Sequence, residues 1–547
     1  MEYFKPEKYK TELTKIFKEV KEEKIWEKDS LNKILRKYPK DGKRLFRHDE
    51  LVYALKELEL QDKTIEERIR LKPTRTNSGV ATVTVLTKPF PCPGRCIFCP
   101  NDPNMPKSYI SSEPGAQRAL TNHFDPYAQV YNRLIALKNV GHNIEKVELL
   151  VLGGSWSAYP QDYQLWFVTQ CYKALNDISP ESTEYIPPKE DYESEASFFN
   201  LEKEHLINET AYCRNVGLVF ETRPDLITKE EVIHLRKLGA TKIQIGIQSL
   251  DDKILKANNI GRKVKDVRKA IKLLRLGGFK IHGHWMPNLY KATVNSDIAD
   301  YKKLWRRDFS PDELKIYPTS IVPNTYLYNL YKKNMYSPYT EEELLEVLVS
   351  VIPTTPRYCR LSRIIRDIPS EEIVAGNKKT NLRQIAEKEI EERGFKLQEI
   401  RSREIQDSNV KMKDLEMEII NYKSSIGKEV FISFKTKKTD KICGFLRLCL
   451  PNPIYKRFNY IKELRDSSII REVHVYGKVM SLTEDSTGQS QHLGLGKKLI
   501  EKAEEISKKN GFKNISVISA VGTREYYKAR GYTKGVLYMK KEIVTTS

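Results

Sequence analysis

The chain has few of the features that would tie it to a membrane or an oxidising compartment. No apolar run in its 547 residues approaches the roughly 20 that a membrane-spanning helix needs. The amino terminus, MEYFKPEKYKTELTK, is charged from its second residue and lacks an apolar stretch of signal-peptide type. A soluble protein with no membrane partner is expected. The eight cysteines lack the short, even spacing of a disulfide framework, which excludes a small secreted scaffold and points to a reducing compartment, the cytoplasm. Acidic residues are in deficit: 73 Asp and Glu stand against 94 Lys and Arg, a formal charge of +21. That imbalance favours a polyanionic partner such as nucleic acid, with genome-wide lysine bias as the plainer source. The length exceeds what one hydrophobic core usually supports, so two or three domains are expected.

What is present is concentrated in a few places. Cys92, Cys96 and Cys99 fall in the run PCPGRCIFCPND, a CxxxCxxC spacing on a loop marked by Pro91, Pro93, Gly94 and Pro100. A structural zinc site is closed by four protein ligands, and an iron-sulfur cluster is usually held by four cysteines. Three thiolates therefore point to a 4Fe-4S cluster with one iron free, a position that S-adenosylmethionine (SAM) can take. The alternative is a zinc knuckle whose fourth ligand, His123 or Cys171, lies farther along the chain. The spacing, with Phe98 before the last cysteine, resembles the radical SAM superfamily. That resemblance implies one-electron cleavage of SAM to a 5′-deoxyadenosyl radical, chemistry that belongs to the cofactor.

Three regions are expected along the chain. Residues 1–75 alternate apolar and charged residues at helical spacing, and LNKILRKYPKDGKRLFR carries seven basic residues against Asp41 alone. A solvated helical face is the plain reading for any one lysine; as a cluster with Tyr38 and Phe46 the segment suits phosphate contacts. Residues 76–400 alternate apolar strands (KVELLVLGG, GLVFETRPD, TKIQIGIQS, FKIHGHWMP, ELKIYPT) with amphipathic helices. This α/β pattern predicts a full or partial TIM-type barrel. An acidic stretch near 181–210 interrupts it as a helical excursion with no assigned function. Residues 401–547 change to an α+β pattern, with an antiparallel hairpin turning near Lys438 and Asp440, a helix from about 494 to 509, and the segment REYYKARG.

Motifs follow the strands. Gly153, Gly154 and Ser155 end a strand where glycine lets backbone approach a ligand; radical SAM enzymes place a GGE-like turn here, and this chain has Ser for Glu. Glu221, Arg223 and Asp225 of ETRPD lie at another strand end, placed for the carboxylate and ribose of SAM or for an internal salt bridge. In QHLGLG, Gln491, His492, Leu493, Gly494, Leu495 and Gly496 open a helix and resemble the Q/RxxGxG/A signature of GNAT acetyltransferases. Successive amides at a helix amino terminus accept the pyrophosphate of coenzyme A. Tyr526 and Tyr527 fall where GNAT folds place a tyrosine near the thioester, with core packing as the alternative for one of them.

Together these segments, with KPTRTNSGVATVTVLTKPFPCPGRCIFCP, MPKSYISSEPGAQRA, RIIRDIPS and SAVGTREYYKARGY, resemble the Elp3 family, the catalytic subunits of Elongator, over nearly the whole chain. The resemblance implies carboxymethylation of tRNA wobble uridine U34 at C5, with acetyl-CoA as carbon source. Cys92, Cys96 and Cys99 would hold the cluster; Gly153, Gly154, Ser155, Glu221 and Arg223 would position SAM. Gln491 through Gly496, with Tyr526, Tyr527 and His474, would serve acetyl-CoA. Lys72, Arg75 and the amino-terminal helices would meet the tRNA anticodon stem-loop. An electron donor is required and unidentified, as are any further Elongator subunits. Many family members carry a cysteine where this chain has Leu397, which puts an interdomain zinc in doubt; Cys359 and Cys443 read as core. Two rivals remain: a protein lysine acetyltransferase with a structural cluster, and a tRNA-binding scaffold without catalysis.

Overall fold

A computed structural model describes residues 4–27, 29–71, 78–189, 196–405, 410–476 and 494–543. Four helices, Lys10–Glu22, Ser30–Lys37, His48–Glu57 and Lys63–Ile69, begin the chain. Leu13, Ile16, Phe17 and Val20 recur at helical spacing on the first of them and pack with Leu51 and Leu55 of the third into a core of their own. This packing brings carboxylates to the basic segment. Lys33, Lys37, Lys40 and Arg47 pair with Glu27, Glu19, Glu50 and Asp49. Four of its seven cations are thus already matched, and the surface is less basic than the sequence reads.

Seven parallel strands follow: β1 (Ala81–Leu86), β2 (Lys146–Leu152), β3 (Arg214–Thr222), β4 (Lys242–Gln248), β5 (Lys280–Trp285), β6 (Glu313–Ile316) and β7 (Arg360–Arg363). They lie in sequential order, with β1 and β7 as unjoined edges, so the barrel is partial. Helices between the strands cover the outer face, which is why residues such as Leu218, Phe220, Ile243 and Ile245 are fully buried. Thr228 caps the helix Lys229–Lys237 by accepting from the Glu231 amide.

The second sheet contains β8 (Leu415–Lys423), β9 (Gly427–Thr436), β10 (Ile442–Pro451), β11 (Ser467–Val475), β12 (Asn514–Val517), β13 (Thr533–Lys534) and β14 (Met539–Glu542), in the order β13-β14-β12-β11-β10-β9-β8. It is mixed rather than wholly antiparallel: β11 and β12 pair in parallel, because the helix Leu495–Lys509 carries the chain across between them. Its inner face shares one continuous core with the barrel. No helix of the described residues is long and apolar enough to cross a membrane.

Ion pairs join the two sheets at the amino ends of the barrel strands. Asp312, wholly buried just before β6, accepts from Arg471 of β11 through two nitrogens at 2.6 and 2.7 Å. Arg471 also pairs with Glu429 of β9 at 2.9 Å, and Arg447 of β10 with Glu472 of β11 at 2.7 Å. Lys280 of β5 bridges Glu313 of β6 and Glu472. Burial alone would raise the Asp312 carboxyl; Arg471 and Arg447 outweigh it and hold the group well below the usual carboxylate range.

Candidate active site

The carboxyl ends of the strands gather the first group of site residues. The loop after β1 carries Cys92, Cys96 and Cys99, all half-buried. Cys92 Sγ lies 3.5 Å from Ser155 Oγ, so the cysteine loop and the turn after β2 come together. That turn requires its glycines: Gly153 and Gly154 have φ of +126° and +97°, and a Cβ on Gly153 would collide with Thr87.

Glu221, at the end of β3, faces the barrel interior, where the Tyr109 hydroxyl donates to it at 3.1 Å. Arg223 follows in extended backbone, and Asp225 lies in the turn beyond it. The strand ends at Thr222 and turns, leaving Arg223 paired with Asp225 at 3.0 Å, donating to the Ile260 carbonyl at 3.0 Å, and packed against Gly94 of the cysteine loop. Asp225 is thereby spent on an internal salt bridge.

The cysteine loop suits an anionic cluster. Burial pushes the Cys96 thiol up, opposed by the guanidiniums of Arg262 and Arg223, and pushes Cys99 up to about 12; metal coordination deprotonates such thiols outright. Among the described residues no three His, Cys, Asp or Glu side chains are close enough to hold a single metal ion. A cluster instead spreads its thiolates over separate irons. Cys171 is buried in the helix Gln161–Asp177, and Cys359 and Cys443 are buried in the core.

The barrel bore is polar. Packed TIM barrels fill this space with branched apolar side chains, whereas here it holds Gln244, His282, His284, Lys315 and Tyr317 around a cavity of about 1790 Å³. Gln244 Oε1 accepts from Lys315 Nζ at 2.6 Å and lies 2.9 Å from His284 Nε2. Burial and the Lys315 charge push His284 well below its ordinary value, so it is neutral near pH 7. Arg262 contacts the Gly246 carbonyl and Gln248, and its buried Nε has no hydrogen-bond partner. These residues were missed in the sequence because they are scattered polar residues on separate strands and loops. The alternation His282-Gly-His284 in β5 was the available signal.

The same cavity continues to the second sheet, where His474, Gly494, Leu495, Gly496, Tyr526 and Tyr527 line it. Gly494 caps the helix Leu495–Lys509 with φ +63°, and the Tyr526 hydroxyl lies over Gly496, 2.5 Å from where a Cβ would stand. The Arg530 guanidinium stacks 3.4 Å from the Tyr526 ring centroid. Tyr527 is buried against Tyr532, and burial lowers His474. Gln491, His492 and Leu493 lie outside the described residues, as do Lys72 and Arg75.

A parallel half barrel with three loop cysteines at the carboxyl ends of its strands defines a radical SAM enzyme. Residues 91–288 match the Radical SAM superfamily and residues 311–392 the Radical_SAM C-terminal domain. The chain is 37% identical over 551 residues to a tRNA uridine(34) acetyltransferase of Methanocaldococcus infernus, covering 97% of this chain and 98% of that one. It is 32% identical over 534 residues to Elongator complex protein 3 of Saccharomyces cerevisiae, covering 94% and 92%. Among solved structures, Methanocaldococcus infernus Elp3 with an N-terminus deletion (1–46) matches with a TM-score of 0.70 and 33% identity, covering 85% of this chain and 99% of that chain. The chain belongs to the Elp3 family of tRNA uridine(34) acetyltransferases.

Proposed function

We propose that this enzyme converts the wobble uridine U34 of tRNA to its 5-carboxymethyl form, with SAM as radical source and acetyl-CoA as carbon source. When bound by Cys92, Cys96 and Cys99, the 4Fe-4S cluster supplies the electron that cleaves SAM. Hydrogen would pass from the acetyl methyl group to the 5′-carbon of the deoxyadenosyl radical, that methyl carbon would bond to C5 of the uracil, the adduct would give up the C5 proton and one electron to the redox partner, and water would replace coenzyme A at the carbonyl. Gly153, Gly154 and Ser155 bring backbone to SAM beside the cysteine loop, and Glu221, held by Tyr109, faces it from β3. At the other end the amides of Leu495 and Gly496 receive the pyrophosphate, with Tyr526, Tyr527 and His474 toward the acyl group.

The observation that carries this reading is a cavity lined at one end by Glu221 and by Phe98 of the cysteine loop, and at the other by His474, Gly494, Gly496 and Tyr526. Ligand pockets usually measure roughly 300–1,000 Å³, so about 1790 Å³ holds more than one reactant. The acyl end opens into the barrel bore, an arrangement that serves a base extruded from an anticodon loop and offers nothing to a peptide lysine. Arg363, Arg366 and Arg401 line the β7 side of the opening, where phosphates flanking U34 would lie. An electron donor and a cytoplasmic location belong to the same proposal.

The test is anaerobic incubation of reconstituted protein with SAM, reductant, acetyl-CoA and tRNA, followed by mass spectrometry. Acetyl-CoA labelled with ¹³C in its methyl group should deliver that label to 5-carboxymethyluridine. Acetylated lysine with unmodified tRNA would overturn the proposal.

A further inference from the structure

The acidic excursion between β2 and β3 has so far had no part in the chemistry. Its helix Phe198–Asn208 runs into Glu209, which is only 5% exposed. The Glu209 carboxylate receives three cations from the acetyl-binding domain: Arg524 at 3.0 Å, Lys528 at 2.9 Å and Lys534 at 3.4 Å. Burial alone would raise this carboxyl, but the hydrogen bonds from Lys528 and Arg524 prevail and keep it ionised below the usual carboxylate range.

Arg524 and Lys528 are the first and last residues of the helix that carries Tyr526 and Tyr527. Four residues apart, they stand on one face and leave the tyrosines other directions. A helix of five residues has too few internal hydrogen bonds to hold its own orientation, so its aim must come from outside. The barrel supplies the rest of the mount. Gly522 sits on the base of β3, where a Cβ would meet Arg214 at 2.6 Å and the Asn215 carbonyl at 2.8 Å. Arg236 donates to the Ser519 and Leu537 carbonyls at 2.6 and 2.9 Å.

We propose that Glu209 is a positioning residue for the acyl site: by gripping Arg524 and Lys528 it aims Tyr526 and Tyr527 into the shared cavity, making acetyl-CoA binding by one domain depend on an insertion in the other. This rests on the acetyl-CoA reading above.

The experiment compares wild type with Glu209→Gln in the full chain. The KM for acetyl-CoA should rise about tenfold while kcat at saturating acetyl-CoA and the Kd for SAM stay near wild type, since only uniform binding is lost. Arg524→Gln should give a similar rise, and the double variant should be no worse than either single one, because both cut the same interaction. Should Glu209→Gln fail to fold, Lys528→Met removes a half-exposed partner and should raise the same KM about threefold. An unchanged acetyl-CoA KM, or equal losses of acetyl-CoA and SAM binding, overturns the inference. Wild-type protein that binds no acetyl-CoA overturns the functional reading and this inference with it.

Discussion

The two ends of the half barrel are built on opposite principles. At the carboxyl ends of the strands lie three cysteines on one loop, Glu221 with the Tyr109 phenol as donor and His284 at 3.7 Å, and Arg262 against the Gly246 carbonyl and Gln248. At the amino ends, Asp312, Glu313, Glu429 and Glu472 each pair with Arg471, Arg447, Arg275 or Lys280. The same seven strands thus present a binding end and an assembly end. Buried charges are costly unless matched, and each of these amino-end carboxylates has a cation beside it. The comparison also bears on how the acetyl group reaches the radical. A seam of buried ion pairs does not open readily, and a cavity already runs from Glu221 and Phe98 to His474 and Tyr526; on the proposed reading the acyl arm would travel while the domains stay docked.

The sharpest way to separate the two ends is Cys96→Ala. It should abolish cluster absorbance, iron content and 5′-deoxyadenosine formation, while changing folding stability by less than about 1 kcal/mol, as for a half-exposed loop residue. Asp312→Asn should do the reverse. Arg471 keeps Glu429 but loses its two-nitrogen carboxylate partner, which should cost up to about 3–5 kcal/mol in denaturant unfolding, with cluster loading intact. The pH dependence has a definite sign. A carboxylate with a depressed native pKa contributes its full stabilisation above its unfolded value of about 4 and loses it as pH falls through the native value. Wild-type stability should therefore fall on acidification below about pH 4, with a shallower slope in Asp312→Asn.

Smaller effects sharpen the binding end. Gly153→Ala forces a side chain into a φ of +126° against Thr87; strain of about 1–3 kcal/mol should appear as weaker SAM binding in titration calorimetry. Tyr526→Phe removes one hydroxyl and should raise the acetyl-CoA KM about fivefold, the worth of one hydrogen bond, without changing the Kd for SAM. A larger change in SAM binding than in acetyl-CoA binding would mean that the two ends are not separable as described.

The assembly end was the harder of the two to see in the sequence. Strands such as KVELLVL and KIQIGIQ place apolar residues at every second position and alternate with amphipathic helices, so the barrel was visible. The cysteine and glycine motifs were visible because their ligands are neighbours in the chain. Asp312, Arg447 and Arg471 drew no reading from the sequence, since nothing local marks a charge that only a distant strand will bury. Arg223 and Asp225 were legible both as ligand groups and as a salt bridge, and the turn that begins at Pro224 brings the two together. Glu209 disappeared into an acidic run whose partners lie more than 300 positions away.

The most direct test of the central claim is the transfer of carbon through the shared cavity. With [methyl-¹³C]acetyl-CoA, SAM, reductant and tRNA, the wild-type enzyme should yield 5′-deoxyadenosine and ¹³C-labelled 5-carboxymethyluridine together, and Cys96→Ala should yield neither. Labelled product from Cys96→Ala, or 5′-deoxyadenosine from wild type with no label in the uridine, would contradict it.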